Sequence, residues 1–391
     1  MTHDEAKVNY SEIVEVDRLL TAYDYTLPAD RIAQSPALPR DSARLLTVQN
    51  QTEQVHALFR DLPKLLNPGD LLVLNDTQVI PARLRGRKAS GLPVEVLLLE
   101  PQPDDAGVTS LSSERWLALV KPGRRLKPGA QILFDNLAQD RVSQIESHSG
   151  TDHPGLQATV LATDPATAGR ILQFELPEAS RLEDLLQQLG QVPLPPYITN
   201  PQALPEQYQT VYAYRPGSAA APTAGLHFTP ELLDQLEAAG IDRAFVTLHI
   251  GVGTFRPVEA EDITKHQMHS EWVEVPAETV AKIHETKSRG GRVIAVGTTV
   301  VRSLEGAAQS GTLQPFCGKV DLFIYPGYQW KIVEGMITNF HLPKSSLMML
   351  VSALIGRQQL LNLYQLAIDT DYRFYSFGDA MLILPEAVVR V

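Results

Sequence analysis

From about residue 84 to residue 163 the hydrophobic pattern of the chain changes period. LPVEVLLLE, RWLALVKPG, AQILF and GLQATVLAT are short apolar or alternating runs separated by Gly, Pro, Asn and Asp clusters. That texture belongs to a compact all-β unit, most simply a small barrel. PQPDDAGVTSLSSE and NLAQDRVSQIESHSG would be its loop tips. Outside this window the pattern is α/β. LLVLND reads as a buried strand after an Asn-Pro-Gly stop, and RLEDLLQQL as a helix ended by Gly190. A helix capped at Thr229 precedes the strand AFVTLHI, ETVAKIHETKSRG precedes RVIAVG, and TVVRSLEGAA follows as a helix; DLFIYPG reads as a strand and SLMMLVSALIG as a late helix. Strands alternating with helices imply a sheet with helical layers. The expectation is an α/β main domain, residues 21–82 and 185–391, with an inserted all-β, barrel-like domain at 83–184 and an N-terminal extension at 1–20 that is partly disordered.

Composition narrows the function classes. The one cysteine, Cys317, excludes an intramolecular disulfide framework and any multi-cysteine zinc or iron–sulfur site, which points to a reducing, cytoplasmic setting. The N-terminus shows no signal-peptide pattern, and LMMLVSALI falls far short of the roughly 20 apolar residues a membrane span needs. A net charge of -11 argues against nonspecific coating of nucleic acid. Two basic clusters stand out against it: RLRGRK, with Arg83, Arg85, Arg87 and Lys88, and KPGRRLK, with Lys121, Arg124, Arg125 and Lys127. Each alone is an ordinary solvated hairpin; both lie in the same β segment, which strengthens an RNA-facing reading.

The chemistry-bearing residues cluster at strand ends and helix starts. APTAGLHFTPELL places Thr223, Gly225 and His227 before a helix start built from the Thr229 cap, Pro230 and Glu231. The cap explains the helix but not His227, and a lone histidine between Leu226 and Phe228 is more often a core or turn residue than a catalyst. The texture then recurs. VTLHIGVGTFRPV carries His249, Gly251, Gly253, Thr254 and Arg256; KHQMHSEWVEV carries His266, His269, Ser270 and Glu271; ITNFHLPKSS carries His341 and Lys344. VGTTVVRSLE puts Gly297, Thr298 and Thr299 at a helix N-terminus, where free amides favour an anion, with Arg302 one turn on. YRFYSFGDAMLI offers Asp379 after a Gly turn. An active site in a cleft of the α/β domain is the favoured reading. No compact metal-ligand spacing, P-loop, GxGxxG after a first strand or GxSxG elbow is present.

In this order, YDYTLPADRIAQSPALPRDSARLL, GDLLVLNDTQVIPARLRG, YQTVYA, APTAGLHFT, VTLHIGVGTFRPV, MHSEW, VGTTVVRSLE, DLFIYPGYQW, TNFHLPKSSLMMLVSAL and YRFYSFGDAMLI closely resemble the S-adenosylmethionine:tRNA ribosyltransferase-isomerases of queuosine biosynthesis. The resemblance runs from about residue 23 to 387. Gln78 departs from it, standing where the family's LNDTRVIPARL motif has a basic residue, and TTVVRSLEG differs mildly from TTSVRTLES. The resemblance implies transfer and isomerisation of the ribosyl moiety of S-adenosylmethionine onto 7-aminomethyl-7-deazaguanine at the tRNA wobble position. Its products are epoxyqueuosine-tRNA, adenine and methionine. It implies no cofactor beyond S-adenosylmethionine as co-substrate, no metal, tRNA as partner and a monomer.

On that resemblance His227 or His249 is the base that removes an acidified C5′ proton or the acid that protonates departing adenine, with His269 and Glu271 as shuttle or orienter. Gly297, Thr298 and Thr299 would hold the methionine carboxylate, and Asp379 would meet an ammonium or amine. Thr223, Gly225, Gly251, Gly253, Thr254, Arg256, Arg302, His341 and Lys344 complete the expected substrate-binding set, and the two basic clusters supply tRNA phosphate contacts. Two other classes remain open: a noncatalytic RNA-binding module, and a histidine-dependent nucleotide hydrolase.

Overall fold

The computed structural model describes residues 14–102, 113–134, 156–165, 167–177, 180–195, 197–198, 204–251 and 258–389. The chain divides into two compact units, Met1–Gln78 with Pro196–Arg215 and Ala221–Val391, and Val79–Pro195 with Pro216–Ala220.

The first unit is built on a nine-stranded mixed sheet. Its spatial order is Phe316–Val320, Glu271–Val275, Asp242–His249, Leu71–Asn75, Val293–Val296, Gly335–Asn339, Ala380–Ile383, Arg44–Val48 and Gln54–Leu58. The four strands from Asp242–His249 to Gly335–Asn339 run parallel, so their C-terminal ends share one edge. Leu71–Asn75 and Val293–Val296 are buried at every position, as expected of parallel strands covered on both faces. Leu72, Leu74, Ile294, Val296 and Ile337 pack with Leu232, Leu233 and Leu236 of the helix Pro230–Ala238 and with Phe59 and Phe228. Each such side chain contributes about 1.5–3 kcal/mol on burial. Helices Ala277–Ser288 and Thr298–Ala307 pack on strands Asp242–His249 and Val293–Val296.

The second unit holds a closed, all-antiparallel barrel of six strands: Arg83–Lys88, Pro93–Gln102, Ser113–Lys121, Gln131–Leu133, Gln157–Thr163 and Arg170–Glu175. Alternate residues fill it, among them Leu84, Val94, Val96, Ala118, Val160, Leu172 and Phe174. The expected loop tips fall largely outside the described residues.

Three details differ from the sequence reading. Helix Leu182–Leu189 was split by the boundary at 184, yet Leu182 and Leu186 belong to the barrel's core, so it goes with that unit. DLFIYPG is not a strand. Leu322 and Ile324 keep the alternation by packing inward, but the ladder stops at Val320, whose carbonyl and that of Leu322 turn to the Arg302 guanidinium. Residues 14–20 of the expected extension are tied to the α/β unit through Leu20 N to Glu261 O at 2.8 Å and an Asp17–Arg357 ion pair. No helix among the described residues is long and apolar enough to cross a membrane.

Candidate active site

Three of the parallel strands deliver polar residues to their common C-terminal edge. Asn75 ends one strand and is followed by Asp76 and by Thr77, which opens the short strand Thr77–Val79; His249 and Gly251 leave the second, and Gly297 to Thr299 open a helix after the third. Asn75 ties these ends together. Its Oδ1 accepts from Thr77 N at 3.1 Å and Leu248 N at 3.0 Å, while Nδ2 donates to Leu248 O at 3.0 Å and Thr299 Oγ1 at 3.2 Å. A buried amide satisfied on every side fixes the ends rigidly. Gly297 sits at φ 94°, a conformation that favours glycine, and the helix it precedes has no side-chain N-cap.

His249 stacks on Trp272 with ring centroids 5.0 Å apart, and its Nδ1 lies 2.8 Å from Thr77 Oγ1. No partner is present for Nε2 among the described residues. Burial, helped by nearby Arg215, pushes its pKa down to about 4, so the ring is neutral near pH 7. Asp76 stands beside Thr77 and accepts from Thr247 Oγ1 at 2.6 Å; burial raises its pKa. Asn75, Asp76 and Thr77 were missed as site residues. The signal was present in LLVLNDTQV: three polar residues in a row where an apolar run breaks off.

Several expected site residues are engaged elsewhere. His227 is 5% exposed and stacked on Phe59, with Nδ1 3.2 Å from Ala224 O and Nε2 3.0 Å from Gly378 O. Both nitrogens lie against main-chain carbonyls, of which the neutral ring can donate to one, and burial keeps the remaining lone pair from a substrate; burial also lowers the pKa against the opposing pull of those carbonyls. Asp379 is buried, accepting from Arg44 N at 2.9 Å and Arg373 N at 2.8 Å with the Arg373 guanidinium 3.6 Å from Oδ1, so its charge is already matched within the protein. Arg302 is buried and donates to the Glu271 carboxylate and to the carbonyls of His269, Val320 and Leu322. The other Glu271 oxygen accepts from Gly251 N at 3.3 Å, so this buried pair holds the main chain at Gly251, two residues after His249.

His341 is buried against Thr338 Oγ1 at 2.8 Å and accepts from Tyr25 through its carbonyl; burial lowers its pKa to about 3. Lys344 pairs with Asp24 at 2.6 Å on the surface. Gly225 serves close packing, because a Cβ there would lie 2.1 Å from the Tyr212 hydroxyl. Thr223 Oγ1 donates to Asn339 Oδ1 at 2.8 Å. His269 is half-buried and lends only its carbonyl to Arg302. Gly253, Thr254 and Arg256 lie outside the described residues. Among the described residues no three His, Cys, Asp or Glu side chains converge on a metal site.

In the barrel unit the two basic clusters are adjacent. Lys88 Nζ donates to Arg125 O at 3.0 Å, and the register aligns Arg85 with Glu95 and Glu95 with Lys121. Arg85, Arg87, Lys121, Arg124, Arg125 and Lys127 are exposed, whereas Arg83 is half-buried, with Nη2 3.4 Å from Leu194 O.

A family model described as queuosine biosynthesis protein matches residues 20–383. A protein of Nostoc sp. (strain PCC 7120) named S-adenosylmethionine:tRNA ribosyltransferase-isomerase is 62% identical over 384 residues, covering 96% of this chain and 94% of its own. One of the same name from Gloeobacter violaceus is 54% identical, covering 96% and 98%. The crystal structure of an S-adenosylmethionine tRNA ribosyltransferase from Thermotoga maritima matches with TM-score 0.50 and 36% identity, covering 93% of this chain and 100% of that one.

Proposed function

The chain belongs to the queuosine biosynthesis protein family, and from that premise we propose that it is an S-adenosylmethionine:tRNA ribosyltransferase-isomerase. It transfers and isomerises the ribosyl moiety of S-adenosylmethionine onto 7-aminomethyl-7-deazaguanine at the tRNA wobble position, giving epoxyqueuosine-tRNA, adenine and methionine. The observation that carries this reading is a strand-end edge with one neutral, oriented imidazole, in a chain matched to such enzymes along nearly its whole length.

The sulfonium acidifies the adjacent C5′ protons, so a single positioned base can begin the rearrangement. Of the two candidate histidines, His249 takes that role and His227 holds the turn 223–227 to Gly378. Thr77 sets the His249 tautomer: when Nδ1–H donates to Thr77 Oγ1, the Nε2 lone pair is left for the substrate. Glu271 holds the Gly251 main chain beside His249, and Gly297 to Thr299 receive the methionine carboxylate on uncapped helix amides. The exposed arginines and lysines of the barrel contact tRNA phosphates, while a single unstacked anticodon base enters the site.

The test is to incubate the protein with S-adenosylmethionine, with and without tRNA bearing the aminomethyl-deazaguanine, and quantify adenine. Adenine release that requires this tRNA is the expected result. Release without tRNA would make the protein a hydrolase, and tRNA binding without release a noncatalytic binding module.

A further inference from the structure

The turn at residues 221–227 is lined by buried polar groups that have no partner. Tyr208 turns its hydroxyl to the main chain of Ala221 without making a hydrogen bond. Asn339 accepts from Thr223 through Oδ1 and leaves Nδ2 unbonded; reversing the amide only leaves the other end unpaired. Thr210 lies against Gly225 with its Oγ1 unbonded. These three residues are only 1%, 3% and 4% exposed, in that order, so bulk solvent does not reach them. Buried polar atoms are almost always paired, and three orphans around one turn ask for a ligand. Aromatic rings flank them. Tyr197 and Tyr375 have ring centroids 4.3 Å apart, Tyr208 lies edge-on to Phe377, and Tyr375 N donates to Phe340 O, next in sequence to Asn339.

We propose that Asn339, Tyr208 and Thr210, gathered around the turn 221–227, form the adenine subsite for S-adenosylmethionine. The proposal rests on the reading above that S-adenosylmethionine is the co-substrate. None of the three side chains carries a charge, which suits the neutral base; the methionine end, with its ammonium and carboxylate, needs charged partners. A carboxamide pairs with adenine by accepting from the 6-amino group and donating to a ring nitrogen, and hydroxyls complete the remaining ring acceptors. Stacking on a tyrosine face suits the same base. The subsite also has a use in the reaction. When the glycosidic bond breaks, its electron pair passes to the base, and donors aimed at the ring nitrogens stabilise that charge until a proton reaches it.

The experiment titrates the full chain calorimetrically, alone and with tRNA bearing the aminomethyl-deazaguanine, with S-adenosylmethionine and with an analogue carrying hypoxanthine in place of adenine, using the wild type and the variants Tyr208→Phe, Thr210→Val and Asn339→Ala. Each variant is expected to weaken S-adenosylmethionine binding by about ten-fold, as for loss of a hydrogen bond to a buried site, and to reduce the preference for adenine. Tyr208→Phe carries the discriminating readout. Removing an unpaired hydroxyl leaves the ligand-free protein at least as heat-stable as the wild type, so weaker binding without a lower Tm is expected, which a merely structural tyrosine would not give. If the wild type binds and Tyr208→Phe and Thr210→Val both leave Kd and the adenine preference unchanged, the subsite is refuted and the function stands. If the wild type binds no S-adenosylmethionine with or without tRNA, the functional reading fails and the subsite fails with it.

Discussion

Replacing Arg302 with methionine separates a structural role for Glu271 from a catalytic one. The two side chains are 4% and 3% exposed, and the guanidinium also serves three carbonyls. Methionine fills much of the same volume but leaves the Glu271 carboxylate buried without its counter-charge. Breaking a buried pair from one side costs about 3–5 kcal/mol, because the stranded charge keeps its full desolvation penalty. Equilibrium urea unfolding at pH 7 reads this, with Trp116→Phe as the background so that fluorescence reports Trp272 and Trp330 of the α/β unit rather than the barrel. The double variant Arg302→Met with Glu271→Leu should recover most of the loss, since no buried charge remains. An Arg302→Met stability within about 1 kcal/mol of the parent would refute the reasoning, because surface pairs have that magnitude.

Three further outcomes follow from the same geometry. His249 and His341 have folded pKa values lowered to about 4 and about 3, against an ordinary 6.5, so their stabilising effect is complete above pH 6.5 and is lost as pH falls through 6.5 toward the folded values. For the buried His341 the loss from pH 6.5 to 5 is on the order of 2 kcal/mol, and urea midpoints measured across that range in the wild type and His341→Gln check it. Thr77→Val should lower kcat by about ten-fold or more, by freeing the His249 tautomer, while leaving KM for tRNA unchanged. Neutralising Arg85, Arg87, Arg124 and Arg125 should raise the tRNA KM and flatten its salt dependence, by a slope of about 0.7–0.9 per lost phosphate contact; an unchanged slope removes the barrel from the tRNA interface.

The two architectures were legible because they depend on local periodicity. Val94, Val96 and Leu98 alternate toward the barrel core as LPVEVLLLE suggests, and the Thr229 cap accepts from Leu232 N at 3.1 Å. DLFIYPG misled because alternation reports which face is buried, not whether a ladder partner exists. Roles at the site were less legible because they are set by partners distant in sequence. The same His227 that looks exposed to a cleft in APTAGLHFT is bound to Gly378, 151 residues away, and Asp379 is closed off by Arg44, 335 residues away. Conversely Asn339 carries no signal in ITNFHLPKSS, and only the folded chain brings its amide against Thr223 and leaves half of it unpaired.

The central claim is that the ribose carbons of S-adenosylmethionine leave both the base and the amino acid and enter the tRNA. S-adenosylmethionine labelled with carbon-14 in its ribose, incubated with this protein and tRNA carrying the aminomethyl-deazaguanine, measures that directly. The account predicts label in the wobble nucleoside, with one unlabelled adenine and one unlabelled methionine released per label transferred. Label that stays with a free nucleoside or free sugar, with none in the tRNA, would contradict it.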